Sequence, residues 1–170
     1  MNIIPVYGVA LVRDASLRVP DKRADHAAAV AEILRAHIGP ADREHFVVLF
    51  VSARNQIIGI NTVSVGTLSA SLVHPRELFK PAILLGAAGV IAGHNHPSGD
   101  HQPSPEDRET TRRIVRAGEI IGIPVLDPTQ ERIFLVDQTV AEYFYQSDYY
   151  YEAFQEKLRA YYEGIQKILQ

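Results

Sequence analysis

The sequence predicts an α+β fold, a mixed β-sheet flanked by helices. Three observations carry that expectation. Phe46-Val-Val-Leu-Phe-Val51 is a continuous β-rich apolar run, the composition of a strand buried on both faces. Helix signatures occur over 24–38, 75–85 and 105–121. Strands and helices do not alternate strictly and a hairpin is expected, which argues against a doubly wound parallel sheet.

In chain order, residues 6–13 (Val-Tyr-Gly-Val-Ala-Leu-Val-Arg) read as a strand. Residues 24–38 read as an amphipathic helix with Ala27, Val30, Ala31, Leu34 and Ile38 on one face, ended by Gly39-Pro40. The central run follows at 46–51. Arg54-Asn55 supports a turn, and Gln56 to Val65 returns as the second arm of a hairpin. Pro75 begins a helix that runs to about Leu85, and 90–94 form a short strand. Residues 105–121 form the next helix, closed by Gly122 and Pro124. Ile123 to Leu126 and Ile133 to Val136 read as short strands.

The C-terminus differs in kind. Seven of the eight tyrosines lie between Tyr143 and Tyr162, so this stretch is set apart from the rest. Val140, Phe144, Ser147, Tyr151, Phe154, Leu158, Tyr161, Ile165 and Ile168 step by three and four, a sustained apolar stripe. One long helix, or two broken near Ser147-Asp148, is expected over 139–170. Docking on the domain's own core and a homodimer or partner surface are both open for it. Tyrosine suits a half-wet interface. The chain thus divides into a domain over 1–138 and a helical extension over 139–170.

Composition narrows the chemistry. A chain of 170 residues buries a sizeable core. There is no Cys, which excludes disulfides, thiolate zinc sites, a Cys nucleophile and the Cys-dependent zinc deaminase pattern. The N-terminal residues lack the basic and long apolar regions of a signal peptide, and no apolar run reaches membrane-span length. The cytoplasm is therefore the expected location. A net charge of −3 argues against a nucleic-acid partner. Arg108, Arg112, Arg113 and Arg116 are the best local basic patch, and are expected to form a solvated helix face.

The chemistry sits in Gly93-His-Asn-His-Pro-Ser-Gly-Asp-His-Gln-Pro-Ser104-Pro-Glu-Asp107. His94 and His96 point the same way on extended backbone and can reach one ion together. The next helix can return the Asp107 carboxylate to it. Two imidazoles and a carboxylate form the ligand set of an open catalytic zinc site, with a position left for water. Each piece also has an ordinary reading. His-x-His recurs in cupin-type sites and on plain strands. Ser104-Pro105-Glu106-Asp107 reads as a helix start, with Ser104 as N-cap, Pro105 first in the helix and Asp107 closing a capping box. The capping and metal readings compete for the Asp107 carboxylate, whereas Ser104 can serve both. Asp100 and His101 read as solvated loop residues.

The run resembles the JAMM, or MPN+, metalloprotease signature: His-x-His, seven residues, Ser, two residues, Asp. His94, His96, Ser104 and Asp107 fit it with the spacing intact. Gly93 through Asp100, with Pro103-Ser104, is similar to the RadC branch of that family. So are Gly66-Thr67, His74-Pro75-Arg76-Glu77-Leu78-Phe79 and Arg43-Glu44-His45-Phe46. The resemblance covers roughly residues 5–137. It implies a curved mixed sheet flanked by helices, as in cytidine deaminase-like domains. It also implies Zn²⁺ held by His94, His96 and Asp107, Glu44 as general base and acid, and Ser104 as hydrogen-bond donor to the water or the developing oxyanion. The implied activity is that of a zinc metallopeptidase or isopeptidase, which hydrolyses a peptide or isopeptide bond in a protein or peptide-conjugate substrate with metal-activated water. From its residue type alone, Glu44 reads as an exposed loop acid. Pro128 stands where RadC-like chains usually carry His after Leu-Asp, which puts fine specificity in doubt. The helix-hairpin-helix region found in many RadC-like proteins does not precede the domain in this sequence. Two other functions compete: a DNA-repair-associated accessory module without peptidase activity, and a metal-dependent nuclease or oxygenase.

Overall fold

The computed structural model describes residues 3–24, 27–66, 73–97, 104–126 and 134–135. The expected C-terminal helix, Asp100, His101 and Pro128 lie outside the described residues. Among the described residues, three helices, α1 (Ala27–Ile38), α2 (Pro75–Leu85) and α3 (Pro105–Ile121), accompany four strands, β1 (His45–Val51), β2 (Ile57–Val65), β3 (Gly89–His94) and β4 (Phe134–Leu135). The sheet order is β2-β1-β3-β4. β1 is antiparallel to both β2 and β3, and β3–β4 is parallel. This is the mixed, helix-flanked sheet that the sequence predicts.

β1 is the hub because its residues are apolar on both faces. Phe46, Val48 and Phe50 pack with Leu78, Phe79, Ala82, Ala92 and Ile114, on the side of α2 and α3. Val47, Leu49 and Val51 pack with Val30, Ile33, Leu34 and Ile91, on the side of α1. Alternation along the strand thus builds two cores, one on each side of the sheet. The β1–β2 connection turns at Asn55, which adopts φ 57°, a left-handed conformation that Asn tolerates.

Local signals set the helix ends. α2 starts with His74 as N-cap, Pro75 follows it, and Gly86 closes the helix at φ 62°. α3 starts at Ser104 with a complete capping box and stops at Gly122, at φ 79°. Gly118 lets the end of α3 approach the chain that follows. A Cβ there would lie 2.6 Å from the Ile123 carbonyl oxygen and 3.1 Å from Phe79 Cζ. Because the nearer atom is backbone, Gly118→Ala is expected to lower stability by about 1–3 kcal/mol, measured by denaturant unfolding.

Three expectations need correction. Residues 6–13 form no strand; Val6, Tyr7, Val9 and Val12 are exposed and, among the described residues, this segment has no ladder partner. β-rich composition does not make a strand without a neighbour to pair with. Helix α1 begins at Ala27 and not at 24, because Arg23 bridges Gln56 and the Ala24 N–H donates to the Asn55 carbonyl at 2.8 Å. Of Ile123–Leu126, only Val125 makes a bridge, to Val90. Two hydrogen bonds, Val90 N–H to Pro124 O and Leu126 N–H to Val90 O, dock this short run beside β3.

Candidate metal centre

The strand register brings the site together. Phe46 pairs with His94 across the antiparallel β1–β3 ladder. Continuing that register by two residues sets Glu44 opposite His96. Glu44, Phe46 and Val48 share one face of β1, as Ala92, His94 and His96 do on the β3 side. That face looks toward α3, whose first turn carries Asp107.

One donor atom from each of His94, His96 and Asp107 lies within 4.8 Å of the other two. His96 Nε2 is 3.6 Å from Asp107 Oδ2, and His94 Nδ1 is 3.8 Å from Asp107 Oδ1. These gaps are too long for hydrogen bonds. They are close to the separation of about 3.3 Å between ligand atoms that each sit 2.0–2.1 Å from a tetrahedral zinc. The donor set and spacing therefore fit a divalent metal. The His94 and His96 ring centroids are 4.7 Å apart, and the Phe46 ring packs edge-on against His94 at 6.0 Å. His94 is buried, while His96 and Asp107 are half-buried, so the group faces outward on one side only.

Asp107 completes the α3 capping box and at the same time faces the histidines of the cluster. Its Oδ2 accepts from the Ser104 N–H at 2.8 Å and from the Ser104 hydroxyl at 2.7 Å, while its own N–H donates to Ser104 Oγ at 3.1 Å. Its Oδ1 is left facing His94. Oδ2, which completes the capping box, also faces His96 at 3.6 Å; a carboxylate oxygen carries more than one lone pair, so capping α3 leaves acceptor capacity toward both histidines. Ser104 is thus tied to Asp107 and holds it in place.

Glu44 is buried, not the exposed loop acid its residue type suggested. Its Oε1 lies 3.5 Å from His94 Nδ1. Burial pushes its carboxyl above the ordinary range, the Asp107 charge pushes it further, and His96 opposes both. Asp107 moves the other way. Burial would raise it, but the Ser104 hydroxyl, then His94, the Ser104 N–H and His96 together hold it below its usual value.

Burial drives His94 down from 6.5 to about 4, with Asp107 opposing and His96 adding to the shift. The unfolded chain therefore takes a proton that folded His94 refuses. Stability contributed by neutral His94 is complete above about pH 6.5 and is lost as the pH falls toward about 4. In chelator-treated protein the His94 contribution to stability is expected to fall across that window, partly offset by the raised Glu44 carboxyl, which gains on acidification. A pH series of urea melts measures it, and His94→Gln should flatten the slope.

The arginines of α3, Arg108, Arg112, Arg113 and Arg116, are exposed, as expected of a solvated helix face. Arg112 pairs with Glu109 at 2.8 Å, and Arg113 donates to the Val73 carbonyl at 3.2 Å. Among the described residues no helix is long and apolar enough to cross a membrane. Asn95, to which its sequence position assigns no role, is buried, and its side chain bonds to Arg43 and His45 on either side of Glu44. An amide between two candidate ligands was the available signal, but its partners became visible only with the register.

Comparison with known proteins agrees with this arrangement. The RadC-like JAB domain family matches residues 24–129, more than half of the chain. A UPF0758 protein of Rubrobacter xylanophilus is 60% identical over 95 residues, covering 56% of this chain and 42% of that protein. UPF0758 protein STH371 of Symbiobacterium thermophilum is 57% identical over 99 residues, covering 58% and 42%. A UPF0758 protein of Moorella thermoacetica is 52% identical over 98 residues, covering 58% and 43%. The chain spans about two-fifths of the length of these curated relatives. With its motif, its fold and the matched segment in agreement, the chain belongs to the RadC-like JAB domain family.

Proposed function

We propose that this domain is a zinc-dependent hydrolase of the metallopeptidase or isopeptidase type, acting on a peptide or isopeptide bond. The observation that carries the reading is the pairing of a three-donor metal cluster with a separate buried carboxylate, Glu44, beside it. A structural ion needs only ligands; a hydrolytic centre also needs a group that takes and returns a proton.

His94, His96 and Asp107 would hold the ion. When bound, it would polarise the scissile carbonyl and acidify water. Glu44 receives a proton from the attacking water and returns it to the leaving amine. Its raised carboxyl suits this traffic, because a group that is too acidic keeps no proton to give back. Ser104 orients Asp107 through two hydrogen bonds from its N–H and hydroxyl. In this reading its hydroxyl turns to the developing oxyanion when substrate binds.

The test is hydrolysis of a pool of quenched-fluorescent peptides and of a lysine-linked peptide conjugate. The expected result is cleavage that a chelator abolishes and zinc restores. Absence of cleavage by protein loaded with one zinc per chain would count against the reading.

A further inference from the structure

We propose that Asn95, the residue between the two histidines, is the positioning residue for Glu44. The proposal rests on Glu44 being the proton-carrying group.

The regular β1–β3 ladder ends at the Phe46–His94 pair. Beyond it, Pro97 has no N–H to offer a further rung. A side chain supplies one instead. Asn95 Oδ1 accepts from the His45 N–H at 2.8 Å, and Asn95 Nδ2 donates to the Arg43 carbonyl at 3.0 Å. The residue bracketed by these two anchors is Glu44. Its own carbonyl accepts from the Gly66 N–H at 2.8 Å, which ties the same peptide to the end of β2. The backbone on both sides of Glu44 is therefore fixed before its side chain reaches His94.

The residue type follows from this geometry. A carboxamide offers an acceptor and an N–H donor side by side in one plane, which matches an N–H and a carbonyl two residues apart on one strand. A carboxylate could accept from His45 but would face the Arg43 carbonyl with a second acceptor. An alanine would remove the partner of the half-buried His45 N–H and of the Arg43 carbonyl. Strand alternation turns Asn95 away from the face that carries His94 and His96, and its side-chain bonds go to the residues on either side of Glu44.

The experiment compares zinc-loaded wild type, Asn95→Ala and Asn95→Asp. It measures zinc content, hydrogen exchange at the His45 amide, the crystallographic position of the Glu44 carboxylate, and turnover of the peptide pool. Asn95→Ala is expected to keep one zinc per chain. His45 exchange should accelerate about tenfold, the equivalent of one lost hydrogen bond, while exchange at Val48 in mid-strand stays unchanged. The Glu44 carboxylate should move by about 1 Å, and kcat should fall up to ~100-fold with KM unchanged. Asn95→Asp keeps the acceptor for His45, so it should preserve His45 protection yet still displace Glu44.

An unmoved Glu44 in both variants overturns the proposal, as does a fall in kcat explained entirely by lost zinc. If Asn95→Ala does not fold, the Glu44 position in Asn95→Asp decides the question by the same criterion. If wild type cleaves no peptide, the hydrolase reading fails, while the exchange rates and the Glu44 position still decide whether Asn95 holds Glu44.

Discussion

Glu44→Gln is expected to abolish most turnover while leaving the metal in place. General acid–base groups contribute roughly 10²–10⁴-fold to rate, so kcat should fall by about that factor. The amide keeps the shape of the side chain but cannot take a proton. Zinc content should not change, because Glu44 lies outside the three-donor cluster. Metal-free Glu44→Gln protein should melt no lower than wild type at neutral pH. Burial and the Asp107 charge both disfavour ionised Glu44, so the folded state carries a penalty there that the neutral amide lacks. Loss of activity without loss of stability is the signature of a catalytic group. A large drop in the melting temperature would mark Glu44 as structural instead.

The second large effect concerns Asp107, which caps α3 and faces both histidines. Asp107→Asn retains a side-chain oxygen that can accept from the Ser104 N–H and hydroxyl, so the start of α3 should survive. The anionic ligand is nonetheless lost. Changing a residue that merely orients a ligand costs 10–100-fold in metal affinity, so losing the ligand itself should cost more than about 100-fold. Asp107→Ala should lose metal as thoroughly and also lower metal-free stability by about 1 kcal/mol, the usual worth of a cap interaction. Chelator competition reads the first effect and thermal unfolding reads the second. Equal metal affinity in wild type and Asp107→Asn would reduce Asp107 to a capping residue.

The parts of this structure that were legible in the sequence are those decided locally. The bounds of α2 and α3 follow from Pro75, Gly86, Ser104-Pro105 and Gly122, residues whose backbone preferences act in place. β1 was legible because a six-residue apolar run leaves little alternative to a buried strand. What depends on distant partners was not. Residues 6–13 have the composition of a strand but pair with nothing among the described residues. Glu44 became a site residue only through the β1–β3 register, a relation between segments some fifty residues apart. The resemblance to RadC-like domains supplied Glu44 where residue-level reasoning placed it in solvent. Asp107 shows a different limit. The sequence set a cap against a cluster position for Asp107, but that one carboxylate can cap α3 and still face both histidines is a matter of side-chain geometry that spacing does not contain. Asn95 carries no such signal, because a polar residue between two candidate ligands has many ordinary explanations. Only its two backbone partners separate them.

The most direct test of the metal centre is elemental analysis of purified protein, wild type beside His96→Ala, after incubation with zinc and removal of the excess. The geometry of His94, His96 and Asp107 predicts about one zinc per wild-type chain and its loss in the variant. Wild-type protein that binds no metal, or a variant that retains it, would contradict the account.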